Sequence, residues 1–143
     1  MSEGAKSRQL TVTPLAGLPR IRPGDDLVAL VAAAIDRASL VPRHQDIVVV
    51  AQKIVSKAEG RIAPLDAVRP SARAEELAGI TGKDARQLQL VLDESDEVLR
   101  AKKNVIVVQH RLGLVMANAG IDRSNVEQPE SGEAVLLLPL DPD

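Results

Sequence analysis

The sequence predicts an α+β fold, a mixed sheet with helices packed on it. Two observations point there. Short β-branched runs alternate with stretches of helical periodicity early in the chain, and two apolar runs joined by a tight turn form a meander late. At 143 residues the chain is long enough for one domain with a real core.

In order, QLTVT (9–13) predicts a short strand. PLAGLPRIRPG (14–24) holds three prolines and two glycines and is expected to be an extended loop. Beyond it Leu27, Leu30, Val31, Ala34, Ile35 and Ala38 fall on one helical face, with Asp25 and Asp26 suited to the cap and first turn. DIVVVA (46–51) has the continuous β-branched character of a buried strand. QKIVSKAEGR (52–61) fits either a strand extension or one irregular turn before Gly60.

RPSARAEELAGI (69–80) predicts a helix capped by Ser71. TGKDARQLQLVLDES (81–95) predicts another, opened by Thr81 with Asp84 three residues on, with Leu88, Val91, Leu92 and Leu99 on one face. NVIVVQH (104–110) and LVMANA (114–119) read as strands joined by the hairpin signal Arg111-Leu112-Gly113. VEQPESGE (126–133) is a polar loop, and AVLLLP (134–139) is the last strand. A chain that stops just after so apolar a strand suggests a cut.

Composition narrows the chemistry. The net charge of −2 points away from nucleic acid. The absence of cysteine excludes disulfides and thiolate–metal sites, and fits a reducing compartment. No apolar run approaches the roughly 20 residues of a membrane span, and MSEGAKSRQL lacks a signal peptide's apolar core. A cytoplasmic protein is expected. Phe, Tyr and Trp are all absent, so any heterocycle must lie on aliphatic surface and be fixed by polar edges.

GITGKD (79–84) imitates a phosphate loop, but two residues instead of four separate its glycines and Asp84 follows the lysine, so helix capping explains it better. Lys53, Lys57 and Arg61 follow a predicted strand, where a lysine with Ser56 and backbone N–H groups could hold phosphate. A solvated basic edge is the plainer reading. In ANAGIDRSNV (117–126), Asp122 offers a hard oxygen ligand and Asn125 both donors and an acceptor; an ordinary Asx turn accounts for the same pattern. His44 and His110 lie far apart and are expected at the surface.

Taken in order, PLAGLPRIRPGDDL, VVVAQKIVSKAEGR, PSARAEELAGITGKDARQLQLVLDES, ANAGIDRSNV and LLLPLDPD resemble the coenzyme F420 γ-glutamyl ligase family from about Leu10 to Asp143. The resemblance implies a GTP-dependent ligase joining L-glutamate to the glutamate-free deazaflavin precursor of coenzyme F420 (F420-0). The γ-phosphoryl group of GTP would pass to the precursor carboxylate, and the glutamate amine would attack the acyl phosphate. It also implies manganese or magnesium, potassium, and a homodimer. Residues 1–8 are then a flexible N-terminus and 9–143 the N-terminal portion of the ligase domain.

Carried over by position, Leu18, Pro19, Arg20 and Ile21 resemble a nucleotide-contacting loop. Gln52 and Lys57 would lie along the nucleotide, Lys57 on phosphate; Asn125 would bind GTP, and Asp122 would hold metal. Position 52 departs from relatives carrying serine there. Family members continue past DPD into a second half expected to bring further metal ligands and much of the GTP site. A truncated gene, a partner chain supplying the rest, or a non-catalytic nucleotide-binding or dimerising scaffold would each account for the length.

Overall fold

The computed structural model describes residues 10–124, 126 and 132–142. The expected flexible N-terminus 1–8 lies outside them, as do Asn125 and most of the 126–133 loop. The chain divides into two compact units.

The first unit comprises residues up to Arg20 together with Asp26–Ile47. Its helix among the described residues, α1 (Leu27–Arg37), starts where predicted, because the Asp26 carboxylate accepts the Ala29 N–H at 3.0 Å and closes the first turn. Arg37 in its last turn donates to the Gly17 carbonyl, pinning the proline-bounded loop to the helix. That loop has no regular structure, as its prolines require. The predicted strand at 9–13 does not form over residues 10–13, which are exposed and pair with no strand among the described residues.

The second unit holds residues 21–25 and everything from Val48 on. It contains α2 (Gln52–Ala58), β1 (Ile62–Pro64), a 3₁₀ turn (Leu65–Ala67), α3 (Ala72–Thr81), α4 (Ala85–Asp93), β2 (Ser95–Lys102), β3 (Val105–His110), β4 (Val115–Ala117), a second 3₁₀ turn (Asn118–Gly120) and β5 (Ala134–Leu136). The α+β class stands. The strands form two small antiparallel sheets, β2-β3-β4 and β1-β5, the latter extended by a bridge from Asp122 to Leu136. Helices α3 and α4 pack on each other and on β2. Leu65, Leu77, Leu88, Val91, Ile106 and Val108 form the centre of a core built wholly from aliphatic side chains.

Several boundaries differ from expectation, each for a local reason. Residues 46–51 make no strand, since no described strand offers their backbone a ladder; Ile47 and Val49 are 85% and 88% exposed. The ambiguous stretch after them is helical, as α2. Ser71 caps α3 as predicted, its Oγ accepting from Ala74.

Thr81 is no cap: it closes α3, its hydroxyl donating back to the Leu77 carbonyl. Gly82 then takes a left-handed conformation (φ 70°), and Asp84 is the residue that caps the next helix. That helix ends at Asp93, and Ser95–Lys102 is a strand rather than its continuation. Leu99 therefore leaves the helical face and is half-exposed on β2. The 111–113 hairpin forms as expected: His110 pairs with the Leu114 carbonyl and Gly113 is left-handed (φ 78°).

Candidate functional site

The predicted site residues fall in three places. Leu18, Pro19 and Arg20 are exposed on the first unit's loop. Ile21 belongs to the second unit and is nearly buried, at 9% exposure. The turn after it is held to α2 by Gly24 N–H donating to the Ala58 carbonyl at 2.7 Å.

Gln52 and Lys57 sit on α2, Gln52 exposed at its first turn and Lys57 half-buried at its last. The two are organised differently from a phosphate cradle. Gln52 Nε2 donates to Ser56 Oγ at 2.6 Å, and Ser56 is fully buried beneath it, so burial withdraws the serine from the surface. Arg61 is withdrawn too. Its Nε donates to the Leu138 carbonyl at 2.8 Å and its terminal nitrogen to Glu94 at 2.6 Å. Of the three basic residues read as a possible solvated edge, Arg61 is structural.

Asp122 follows a strained turn in which Asn118, Ala119 and Gly120 all have positive φ (53°, 52° and 69°). Gly120 is required twice over. Its conformation disfavours other residues, and an added Cβ would come within 2.9 Å of the Leu138 side chain. The turn delivers Asp122 to β5, where its N–H and carbonyl exchange hydrogen bonds with Leu136 at 2.9 and 2.8 Å. The Asp122 carboxylate accepts from the N–H and hydroxyl of Ser124 at 2.8 and 2.7 Å, which is an Asx turn. β1 pairs with the other side of β5 through Ile62 and Leu136. Asp122 and the chain leading back to Lys57 thus flank β5 from opposite edges, two strand spacings or roughly 10 Å apart.

No group of three potential ligands among His, Cys, Asp and Glu gathers anywhere among the described residues. Asp122 supplies one carboxylate, which does not by itself make a site for manganese or magnesium. Asn125, the nucleotide residue expected beside it, lies outside the described residues. The Asn118 side-chain Oδ1, which sequence reasoning passed over, is buried in the same turn with no hydrogen-bond partner among the described residues.

A charged cluster was also missed. His110 is fully buried, not at the surface as expected, whereas His44 is exposed. The signal was available: β3 alternates, and His110 is in phase with the buried Ile106 and Val108. Its Nδ1 accepts the Leu112 N–H at 3.0 Å, so Nε2 carries the proton, 3.5 Å from Glu94 Oε2. That same oxygen accepts from Arg61 and from Arg111 Nε at 3.1 Å. Burial raises the Glu94 carboxyl, but its hydrogen bond to Arg61 and then the charges of both arginines outweigh that and hold it below the ordinary glutamate range. Burial depresses His110, against the opposing pull of Glu94.

Beside this cluster lies a cavity of about 650 Å³. Val55 of α2, Leu112 and Leu114 of the hairpin, and Leu138 and Leu140 of the C-terminal segment wall it, with Gln52 and Asp141 as its polar members.

The sequence matches the F420-0:Gamma-glutamyl ligase family over residues 17–143. It is 43% identical over 135 residues to the coenzyme F420:L-glutamate ligase of Archaeoglobus fulgidus, covering 94% of this chain and 50% of that protein. The same-named proteins of Methanothermobacter thermautotrophicus and Methanopyrus kandleri are 40% and 39% identical, again across 94% of this chain and 52% and 50% of their own lengths. The chain thus spans about half the length of the curated relatives it matches. With most of its length aligned to that pattern and the ANAGID turn folded to present Asp122, this chain belongs to the F420-0:gamma-glutamyl ligase family.

Proposed function

We propose that the chain is the N-terminal part of a GTP-dependent ligase that adds L-glutamate to the F420 precursor and works in the cytoplasm as a homodimer. The observation that carries this reading is the 43% identity to a coenzyme F420:L-glutamate ligase across 94% of the chain. In the proposed reaction the precursor carboxylate takes the γ-phosphoryl group of GTP, releasing GDP. The glutamate nitrogen then forms the amide bond, expelling phosphate and losing a proton. Little covalent chemistry falls to the protein, whose work is positioning and charge compensation.

Lys57 supplies a cation for the phosphates, and its place in the last turn of α2 leaves the ammonium at the helix end where a positive charge is also favoured. Gln52, Asn125 and the loop Leu18, Pro19, Arg20 and Ile21 would contact the nucleotide. Manganese or magnesium would be held by Asp122, whose backbone is pinned to β5, together with ligands from outside this chain. Potassium would complete the charge balance.

Calorimetric titration of the purified chain with GTP, with and without manganese, tests the reading. Metal-dependent binding that disappears in Lys57→Ala and Asp122→Ala is the expected result. A folded chain that does not bind GTP would favour the second reading, a dimerising scaffold of the same fold, which the want of a three-ligand cluster among the described residues supports.

A further inference from the structure

The last carbonyls of a helix have no partner inside it and must find one elsewhere. At the end of α2 the chain's own turn takes three of them. Glu59 N–H donates to Val55 at 2.9 Å, Gly60 N–H to Lys57 at 3.0 Å and Arg61 N–H to Ser56 at 2.9 Å, with Gly60 left-handed (φ 69°). The bonds from Gly60 and Arg61 make a Schellman motif. The remaining carbonyl, that of Ala58, is taken from a distant part of the sequence, by Gly24 N–H at 2.7 Å.

The donor is built for that contact. Arg22-Pro23-Gly24-Asp25 is a type II turn: Asp25 N–H donates to the Arg22 carbonyl at 3.2 Å, with proline at the second position and left-handed Gly24 (φ 86°) at the third. The Asp25 carboxylate closes the turn a second time by accepting the Arg22 N–H at 2.7 Å. With Arg22 and Asp25 joined to each other, Gly24 N–H is the donor that reaches α2. Gly60 lets the two backbones approach, since a Cβ there would already touch Pro23 Cβ at 3.4 Å.

A helix end facing water needs no such arrangement, because solvent satisfies its last carbonyl. What this junction achieves is to lock together two stretches that carry proposed nucleotide contacts. Ile21 directly precedes the turn, and Lys57 directly precedes Ala58, with its own carbonyl held in the Schellman motif.

We propose that the Arg22–Asp25 turn is a positioning device for the nucleotide. Gly24 and Asp25 act through Lys57: they fix its backbone relative to Ile21, so that the ammonium meets the phosphates at a set place. The inference rests on the ligase reading above, in which Lys57 takes phosphate and Ile21 lies in the nucleotide loop. A displacement of about 1 Å in a positioned contact is enough to forfeit much of its effect.

The experiment titrates the full chain and its variants with GTP in the presence of manganese, by calorimetry. Gly24→Ala is expected to bind about five- to tenfold more weakly. Gly82→Ala is its control. Both glycines are left-handed (φ 86° and 70°) and nothing lies within 4 Å of a Cβ built on either, so both substitutions carry the same kind of backbone strain. Gly82 stands between α3 and α4, outside the junction. Its variant should lose as much stability in urea as Gly24→Ala and yet keep native affinity.

Asp25 supplies a second pair, matched in charge. Asp25→Ala and Asp25→Asn both remove the carboxylate charge, but the asparagine oxygen still accepts the Arg22 N–H. Asp25→Ala is expected to bind GTP about fivefold more weakly, and Asp25→Asn at least as well as the native chain. This pair carries the test if Gly24→Ala does not fold.

Native affinity in both Gly24→Ala and Asp25→Ala overturns the proposal. So does an equal loss in Gly82→Ala, which would trace the effect to stability alone, or an Asp25→Asn as weak as Asp25→Ala. GTP binding lost in Lys57→Ala but indifferent to every change at Gly24 and Asp25 would sink this inference and leave the ligase reading standing. A folded native chain that binds no GTP would remove the nucleotide site of the ligase reading, and this inference with it.

Discussion

Glu94 shows how one residue organises a region. Its carboxylate takes both Arg61 and Arg111 and faces the imidazole of His110, joining the ends of α4, β1 and β3 to the C-terminal segment. His110 gives this cluster a pH signature. Protonating its Nδ1 would break the bond from Leu112 and add a cation beside two guanidinium groups.

The folded pKa of His110 is lowered, so the unfolded chain binds its proton first. Stability is therefore full above the unfolded histidine value, about 6.5, and is lost as pH falls from there toward the folded value. Glu94, also lowered, adds a second loss at lower pH, below the ordinary carboxylate range. Urea midpoints measured between pH 5 and 7 should fall with pH in the native chain. In His110→Gln that slope should largely disappear; a slope unchanged by the substitution would show that His110 is not its source.

At the level of elements, the structure turns on a few glycines placed where the chain must reverse. Gly82 and Gly120 have the same left-handed φ, 70° and 69°, yet differ in surroundings. Nothing lies within 4 Å of a Cβ built on Gly82, whereas one on Gly120 meets Leu138 at 2.9 Å. Gly82→Ala should thus cost about 1 kcal/mol, from backbone conformation alone. Gly120→Ala should cost about 2–4 kcal/mol, as overpacking adds to it. Chemical denaturation of both variants checks this, and equal losses would refute the packing contribution.

Much of this level was legible from local chemistry: Asp26 and Ser71 as caps, the proline-bounded loop, and the 111–113 hairpin. The misses came where partners decide. SDEVLRAK has little apolar alternation, and it is a strand because β3 pairs along its length, through two register shifts. DIVVVA has the propensity of a strand but finds no partner among the described residues. Arg61 read as part of a solvated basic edge because nothing in its neighbourhood announces Glu94, thirty-three residues later.

For the whole molecule, the family was legible in five ordered stretches of sequence, while the site was legible only in part. Lys57 and Asp122 hang on elements that flank β5, and the described residues assemble no complete metal site. No helix among the described residues is long and apolar enough to cross a membrane. Half the length of the relatives lies beyond what this chain aligns with, and the proposed chemistry needs ligands from there.

The most direct measurement joins residues 1–143 to the C-terminal half of the Archaeoglobus fulgidus relative and incubates the product with F420 precursor, L-glutamate, GTP and manganese. Mass spectrometry of the precursor should show a glutamyl increment formed with equimolar GDP and phosphate, and none in the Lys57→Ala version. A folded, GTP-binding chimera that leaves the precursor unchanged, or one that adds glutamate without consuming GTP, would contradict the account.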